Sequence, residues 1–443
     1  MSANIVIWSV LGLVFLRVLY ERIRDRSLPP GPPRLPLIGN LHQAPTDAPW
    51  LTYQKWIKQY GPIVSAQFGG NTVIFIGDAT IARELLEKRG HIYSDRPRLV
   101  MAGENLTKGM HLLLRRYDER YKLHQRLDAP VLSPRASKTY YPMQDLESKQ
   151  LLFDFLSTNN FQKVYERYAG SLVYSLAYGI RLHTGNEPML HHAHQVQENF
   201  GYAGRVGTWI VDALPFLNHL PPSLAPWKKT AEKFYQIEKA LHLGNMQTGL
   251  ASKGWNWTKE FSKSKQSDPM SEIELAYNLG ILADAGFDTT SVQMQATVLG
   301  IFWAMALDEN KFDRPLEFLP ERWLEKSDDG KDQFVNFFGH GRRICTGRHI
   351  AKNSLFLLIA RILWGFNIRH AVDQDGKIKE VDDLAMTSGF VSSPLPFEAV
   401  FEPRSAHSKE VIGNSWHSTE KDVDVLMDSI KAQQISAGLN VLA

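Results

Sequence analysis

The stretch from Ser271 to Gly300, SEIELAYNLGILADAGFDTTSVQMQATVLG, constrains the fold more than any other part of the chain. Ser271 and Glu274 make a capping-box pattern that starts a helix. A helix of about 30 residues is about 45 Å long. Beyond its first turn it is apolar nearly all round, so it offers no solvent face and runs through the middle of a large core. A chain of 443 residues is long enough to supply that core. Inside the apolar helix stand Asp284, Gly286, Asp288, Thr289 and Thr290. A helical glycine costs about 1 kcal/mol against alanine, and a buried carboxylate costs more unless it is paired. Residues that break local rules together in this way mark a functional site.

The second constraint is a thiol. FFGHGRRICTGRHIAK, residues 337–352, contains Cys345, the one cysteine of the chain. A single cysteine excludes an internal disulfide and a disulfide-stapled secreted scaffold, and points to a reducing compartment or a thiol with chemistry to do. Gly339, Gly341 and Gly347 let the backbone turn sharply and bring amide groups close to a ligand. The following RHIAKNSLFLLIARILWGF predicts an amphipathic helix, which places Cys345 just before a helix N-terminus. There the dipole and free N–H groups favour a thiolate, and Arg342, Arg343 and Arg348 add positive potential. The pattern describes a thiolate that ligates a metal or acts as a nucleophile.

The rest of the chain predicts a mainly α fold with a small β component. PIVSAQFGGNTVIFIGD (62–78) alternates apolar residues around a Gly-Gly turn and predicts a β-hairpin. From Thr80 to Gly300 helical periodicity dominates, broken at SPRAS, PFLNHLPPSLAPW and SKSKQSDPMS, while 263–268 and 327–332 read as solvated loops. Met1 to Leu16 carries no charge, and with Arg17 snorkelling the leader is just long enough for a single-pass signal anchor. A buried terminal helix is the alternative. Arg17, Arg22, Arg24 and Arg26 follow the apolar run and place the body on the cytosolic side. LPPGPPRLPLIGN (28–40) cannot continue the helix and reads as a hinge. With 50 basic against 47 acidic residues, the charge gives no reason to propose nucleic acid as a partner. No Gly-x-Gly-x-x-Gly follows a strand, so electrons for any redox chemistry come from a partner. His191, His192 and His194 read as a surface helix more readily than as a metal patch. The sequons at Asn105 and Asn256 would go unused on the cytosolic side.

Phe338-x-x-Gly341-x-Arg343-x-Cys345-x-Gly347 resembles the haem-binding signature of the cytochrome P450 haem-thiolate monooxygenases, and all five fixed positions match. The resemblance implies haem b with Cys345 as axial thiolate to iron, Arg343 beside a propionate and Phe338 beside the sulfur. AGFDTT (285–290) looks like the family's oxygen-activation motif, which gives Asp288 and Thr289 the proton relay and Gly286 the groove that admits O2. FLPERW (318–323) is similar to the segment before the haem loop. LPPGPP after an apolar leader resembles the microsomal hinge, and PFLNHLPPSLAPWKK resembles a loop of fungal members acting on secondary metabolites. By that resemblance the protein is an endoplasmic-reticulum monooxygenase, inserting one atom of O2 into an apolar small molecule with electrons from NADPH-cytochrome P450 reductase. Arg342, Arg348 and Lys352 would face the reductase. Residues 283–289, 94–106 and 387–395 would line the pocket.

Two departures accompany the resemblance. The propionate-clamping helix of the family carries Trp-x-x-x-Arg, whereas YKLHQR (121–126) keeps only His124 as a candidate haem contact, with Tyr121 and Gln125 in the other places. The family's Glu-x-x-Arg pair is missing between Thr290 and Phe318, and only 57 positions separate Asp288 from Cys345. A seam near 300–302 therefore marks an internal deletion of about 90 residues, judged from usual domain sizes. Arg322 loses the carboxylate it would pair with, and breaking such a pair costs about 3–5 kcal/mol. The expected organisation is an anchor at 1–20, a hinge at 21–40, a monooxygenase domain at 41–403 interrupted at the seam, and a C-terminal extension at 404–443. A truncated, inactive member of the family and a non-catalytic membrane-bound binding protein are the alternative readings.

Overall fold

The computed structural model describes residues 27–299, 312–323, 337–387 and 392–439, except 37, 46, 70, 206, 316, 318, 383 and 384, together with residues 8, 12, 16 and 19. The greater part of the expected membrane anchor, the seam and the loop at 327–332 lie outside the described residues. Among the described residues no helix is long and apolar enough to cross a membrane. The chain forms two compact units, one from residues 1–94 and 302–344 and the other from 95–301 and 345–443.

In the first unit, helix α1 (Pro49–Tyr60) packs on a hairpin of β1 (Ile63–Phe68) and β2 (Asn71–Ile76). The strands are antiparallel, from Ile63 opposite Ile76 to Phe68 opposite Asn71. This is the predicted hairpin, and Gly69 at its turn is left-handed with φ 60°. Trp56 of α1 meets Phe68 and Phe75 over the buried Val64 and Ala66. The proline-rich segment is fastened to this hairpin. Asn40 is fully buried, donates to the carbonyls of Pro32 and Pro33 and accepts from the Gln67 amide at 2.8 Å. Ser65 donates through its amide to Pro30 and through its hydroxyl to Pro29.

The second unit contains α2 (Glu119–Leu132), α3 (Tyr141–Asp154), α4 (Phe161–Tyr178), α5 (Pro188–Ala203), α6 (Pro226–Ala251), α7 (Glu272–Leu299) and α8 (Arg348–Gly365). A second antiparallel pair, β3 (Phe366–His370) with β4 (Ala399–Pro403), follows α8. Two further helices, α9 (Ala406–Ser418) and α10 (Val423–Ser436), close the chain. The expected central helix is α7, and the Ser271 hydroxyl accepts from the Glu274 amide as the capping pattern predicts. It packs along α4 and α6. The sequence did not single out α4, yet α4 is buried from Val164 to Tyr178 except at Glu166. Its neighbours on every side explain that burial: α3, α6 and α7 all press on it.

Two buried ionic networks tie these helices. Glu147 of α3, fully buried, accepts from Arg167, Arg181 and Ser171. Glu274 of α7 receives Arg120 of α2 on both carboxylate oxygens and His124 at 2.8 Å. Breaking such a buried pair costs about 3–5 kcal/mol, because the remaining charge stays in a medium that cannot solvate it.

The C-terminal extension is part of the core rather than a tail. Ile412, Met427 and Ile430 join the large apolar cluster. Asp424 accepts from the Gly254 amide at 2.9 Å, and Gln434 donates to Thr139 at 3.1 Å. Ile430 is fully buried whereas Val425, on the same helix, is 52% exposed. Ile430→Ala is expected to lower unfolding free energy by about 2–5 kcal/mol, and Val425→Ala by no more than about 0.5 kcal/mol. Urea denaturation of both variants checks this.

Candidate functional site

Cys345 lies just before α8, whose first turn starts at Gly347 and Arg348. The backbone N–H groups of Gly347 and Arg348 point at its sulfur, and the Arg348 guanidinium donates to its carbonyl at 2.9 Å. The residue is exposed as a whole, but the sulfur is crowded by protein, and that burial pushes the thiol above its usual range. The two amides and the Arg348 charge pull the other way without overcoming it. A coordinated metal deprotonates a thiol outright. A single sulfur with two backbone donors aimed at it is the donor set that an axial thiolate to iron requires, so Cys345 fits the metal of the resemblance.

The boundary between the two units falls between Ile344 and Cys345. In the first unit, Gly339 and Gly341 are left-handed, with φ 81° and 62°. A Cβ on Gly341 would collide with the Leu86 carbonyl, so a side chain is excluded there twice over. Phe338 is half-buried in the turn before them. Arg343 donates through Nε to the Ser94 carbonyl at 2.9 Å, and His340 pairs with Glu87 at 3.0 Å. Gly347, on the second unit, has an ordinary φ of −77° and open space where a Cβ would stand. Of the three glycines in the motif, only the first two are demanded by the backbone.

On α7, the Thr289 hydroxyl donates to the Ala285 carbonyl one turn earlier at 2.6 Å. Burial pushes the Asp288 carboxyl above its usual range. It also raises Glu166 of α4, and Asp288 adds to that rise. His194 of α5 meets Phe287 edge-on and lies 3.9 Å from Glu166. Among the described residues no group of three or more His, Cys, Asp or Glu could hold a metal ion. Gly286 also has a packing role. A Cβ there would stand 2.5 Å from Val173 Cγ1, so the glycine lets α4 approach α7.

His124 is fully buried with both ring nitrogens facing oxygens, Nδ1 to Asn278 at 2.7 Å and Nε2 to Glu274 at 2.8 Å. Asn278 donates onward to Asp128 at 2.6 Å. A propionate role for His124 would require it to give up one of these partners. Burial would raise Glu274, but its bonds to His124 and Arg120 prevail and hold it at about 2. Tyr121 and Gln125, the two departures from the family pattern, bond each other at 3.0 Å. Asn256 is fully buried with its amide bonded to Gly249 and Ser252, so that sequon is closed to glycosylation. The pocket segment 94–106 buries Val100, Met101 and Ala102 beside Val211 and Trp227, and residues 388–391 lie outside the described residues.

The missed groups are Glu238 and His242 of α6, which form a cluster with Asp284 of α7. Their one trace in the sequence is Gly280, whose absent Cβ leaves the space that the His242 ring fills. Gly286→Ala should lower the melting temperature by an amount equivalent to about 1–3 kcal/mol, and Val173→Ala in the same chain should restore part of it. Scanning calorimetry of the two single variants and the double variant decides the point.

Residues 29–302 and 292–401 match the cytochrome P450 family in two blocks that meet at 292–302. The chain is 34% identical to cytochrome P450 monooxygenase drtD of Aspergillus calidoustus, over 96% of this chain and 95% of that protein. It is also 34% identical to cytochrome P450 monooxygenase aneD of Aspergillus aculeatus, over 95% of this chain and 96% of that one. A solved zebra fish cytochrome P450 structure with abiraterone superposes with a TM-score of 0.60, covering 81% of this chain and all of that one at 17% identity, which speaks for the fold alone. With a thiol presented at the head of α8 and an acid and an alcohol adjacent on α7, the chain belongs to the cytochrome P450 family of haem-thiolate monooxygenases.

Proposed function

We propose that this chain is a monooxygenase of fungal type that inserts one atom of O2 into an apolar secondary metabolite, and that its 443-residue form lacks the block needed to hold haem firmly. The observation that carries the first half is Cys345 at the start of α8 with the Gly347 and Arg348 amides on its sulfur. When bound, the haem supplies oxygen activation, with electron density pushed from the cysteine sulfur. The chain's own residues do the rest. Cys345 holds the group, the half-buried Asp288 carboxyl, raised above its usual range by burial, gives and takes a proton, and the Thr289 hydroxyl one position away passes it on. Arg348 and Lys352 near the thiol offer cationic contacts to the acidic surface of a reductase. The apolar leader before Arg17 anchors the protein in the endoplasmic-reticulum membrane, with the body in the cytosol.

The second half rests on two features of the comparisons. The family match breaks into two blocks at the seam read near 300–302. The alignment to the Aspergillus calidoustus relative runs over 508 positions, more than the 443 residues this chain has. The relative thus carries residues with no counterpart here, and a deletion at the seam accounts for both features.

The reduced carbon-monoxide difference spectrum tests the proposal. The chain as written should give a weak or absent thiolate-type Soret band, and restoring about 90 residues of family-like sequence at the seam should recover it. Cys345→Ser in the restored chain should abolish it while far-ultraviolet circular dichroism stays unchanged. A full and stable band from the chain as written would refute the deletion reading, and a band that survives Cys345→Ser would refute the ligand assignment. For the anchor, the intact chain should sediment with membranes and removal of residues 1–26 should release most of it. A fully soluble intact chain would overturn that part.

A further inference from the structure

A buried polar cluster joins α6 to the helix of the oxygen-activation motif. His242 is 1% exposed and lies between two carboxylates, Glu238 at 3.6 Å on its own helix and Asp284 at 3.8 Å on α7. These are ion-pair distances longer than a hydrogen bond. The ring is pressed against α7 where Gly280 has no Cβ and meets Tyr277 edge-on, with centroids 5.0 Å apart. Tyr277 donates to the other oxygen of Glu238 at 3.1 Å. From α4, Tyr174 and Tyr178 face Asp284, and His111 faces Glu238 and His242. Asp284 is one helical turn before Asp288, a separation of about 5–6 Å between Cβ atoms, and Glu166 of α4 faces Asp288 in turn.

An imidazole between two carboxyl groups keeps the cluster neutral when the ring is charged, one carboxylate is ionised and the other carboxyl holds a proton. The Tyr277 hydroxyl donates to Glu238, which favours negative charge on that side of the ring, and the proton is assigned to Asp284 on the other. Burial also pushes Asp284 up to about 7, with His242 pulling it down and Glu238 and Asp288 pushing it further up. Glu238 and Asp284 in turn outweigh burial and hold His242 above its usual range.

We propose that Glu238, His242 and Asp284 form a buried proton store for the oxygen-activation motif, in which Asp284 resupplies Asp288 and His242 sets how readily it does so. The proposal rests on the reading of Asp288 as the proton-handling acid. In the transfer, the O–H bond of the Asp284 carboxyl breaks and one forms on the Asp288 carboxylate, across at most one water. The charge left on Asp284 is met by the His242 imidazolium, and a proton from solvent refills the store. Asp284 and His242 are positioning residues here, since neither touches the reacting atoms.

The test uses the full chain, with no need of haem, carrying aspartate labelled at the side-chain carboxyl carbon. Asp128, which burial also pushes up to about 7, is replaced by Asn throughout to clear the background. Infrared titration should show a protonated carboxyl that ionises near neutrality and vanishes in Asp284→Asn. Asp288→Asn should lower its midpoint by about one pH unit, the scale of a like charge one turn away. Glu238→Gln should lower it too, and His242→Gln should raise it. If His242→Gln loses helical circular dichroism, the Glu238→Gln and Asp288→Asn arms decide alone. Stability gives a second readout. An aspartate raised in the folded state loses stability as pH climbs from about 4, its ordinary value, through about 7, so Asp284→Asn should flatten melting temperature against pH in that window. An Asp284 that titrates in the ordinary range, or a midpoint unmoved by Asp288→Asn, overturns the store and leaves the haem reading intact. Loss of the carbon-monoxide band from the restored chain sinks the haem reading and leaves the store standing.

Discussion

The close approach of α4 and α6 to α7 is the constraint on which the second unit depends. Two glycines set it: Gly286 admits Val173 from α4, and Gly280 admits His242 from α6. On the faces that meet these neighbours there is little solvent to satisfy polar side chains, and they find partners within the protein. Glu274 finds Arg120 and His124, Asn278 finds His124 and Asp128, and Asp284 finds His242. Polar groups inside the apolar helix are thus struts to its neighbours as well as chemistry.

The thiol illustrates a competition that position alone does not settle. A helix N-terminus and nearby guanidinium groups favour sulfur anion, while crowding by protein disfavours it. Here crowding prevails for the polypeptide by itself.

The proposed deletion of an internal block is compatible with preservation of the surrounding helices for a physical reason. The cluster built from α3, α4, α7, α8 and the C-terminal helices contains its own apolar core and its own paired charges. None of those contacts passes through the seam. Function is less tolerant than packing, since a prosthetic group needs several distant segments at once.

Much was legible in the chain alone. The thiol in its glycine and arginine frame, the apolar helix with its acid and alcohol, the hairpin and the irregular spacing between motifs are local patterns, and local patterns reflect periodicity and backbone stereochemistry. What the sequence could not decide was pairing. Nothing local says that His124 spends both nitrogens on α7, that Gly286 serves Val173, that residues 404–443 bury Met427 and Ile430, or that His242 reaches Asp284. Those are contacts between segments distant in the chain. Their energies come from desolvation and shape, which exist only once the helices have packed.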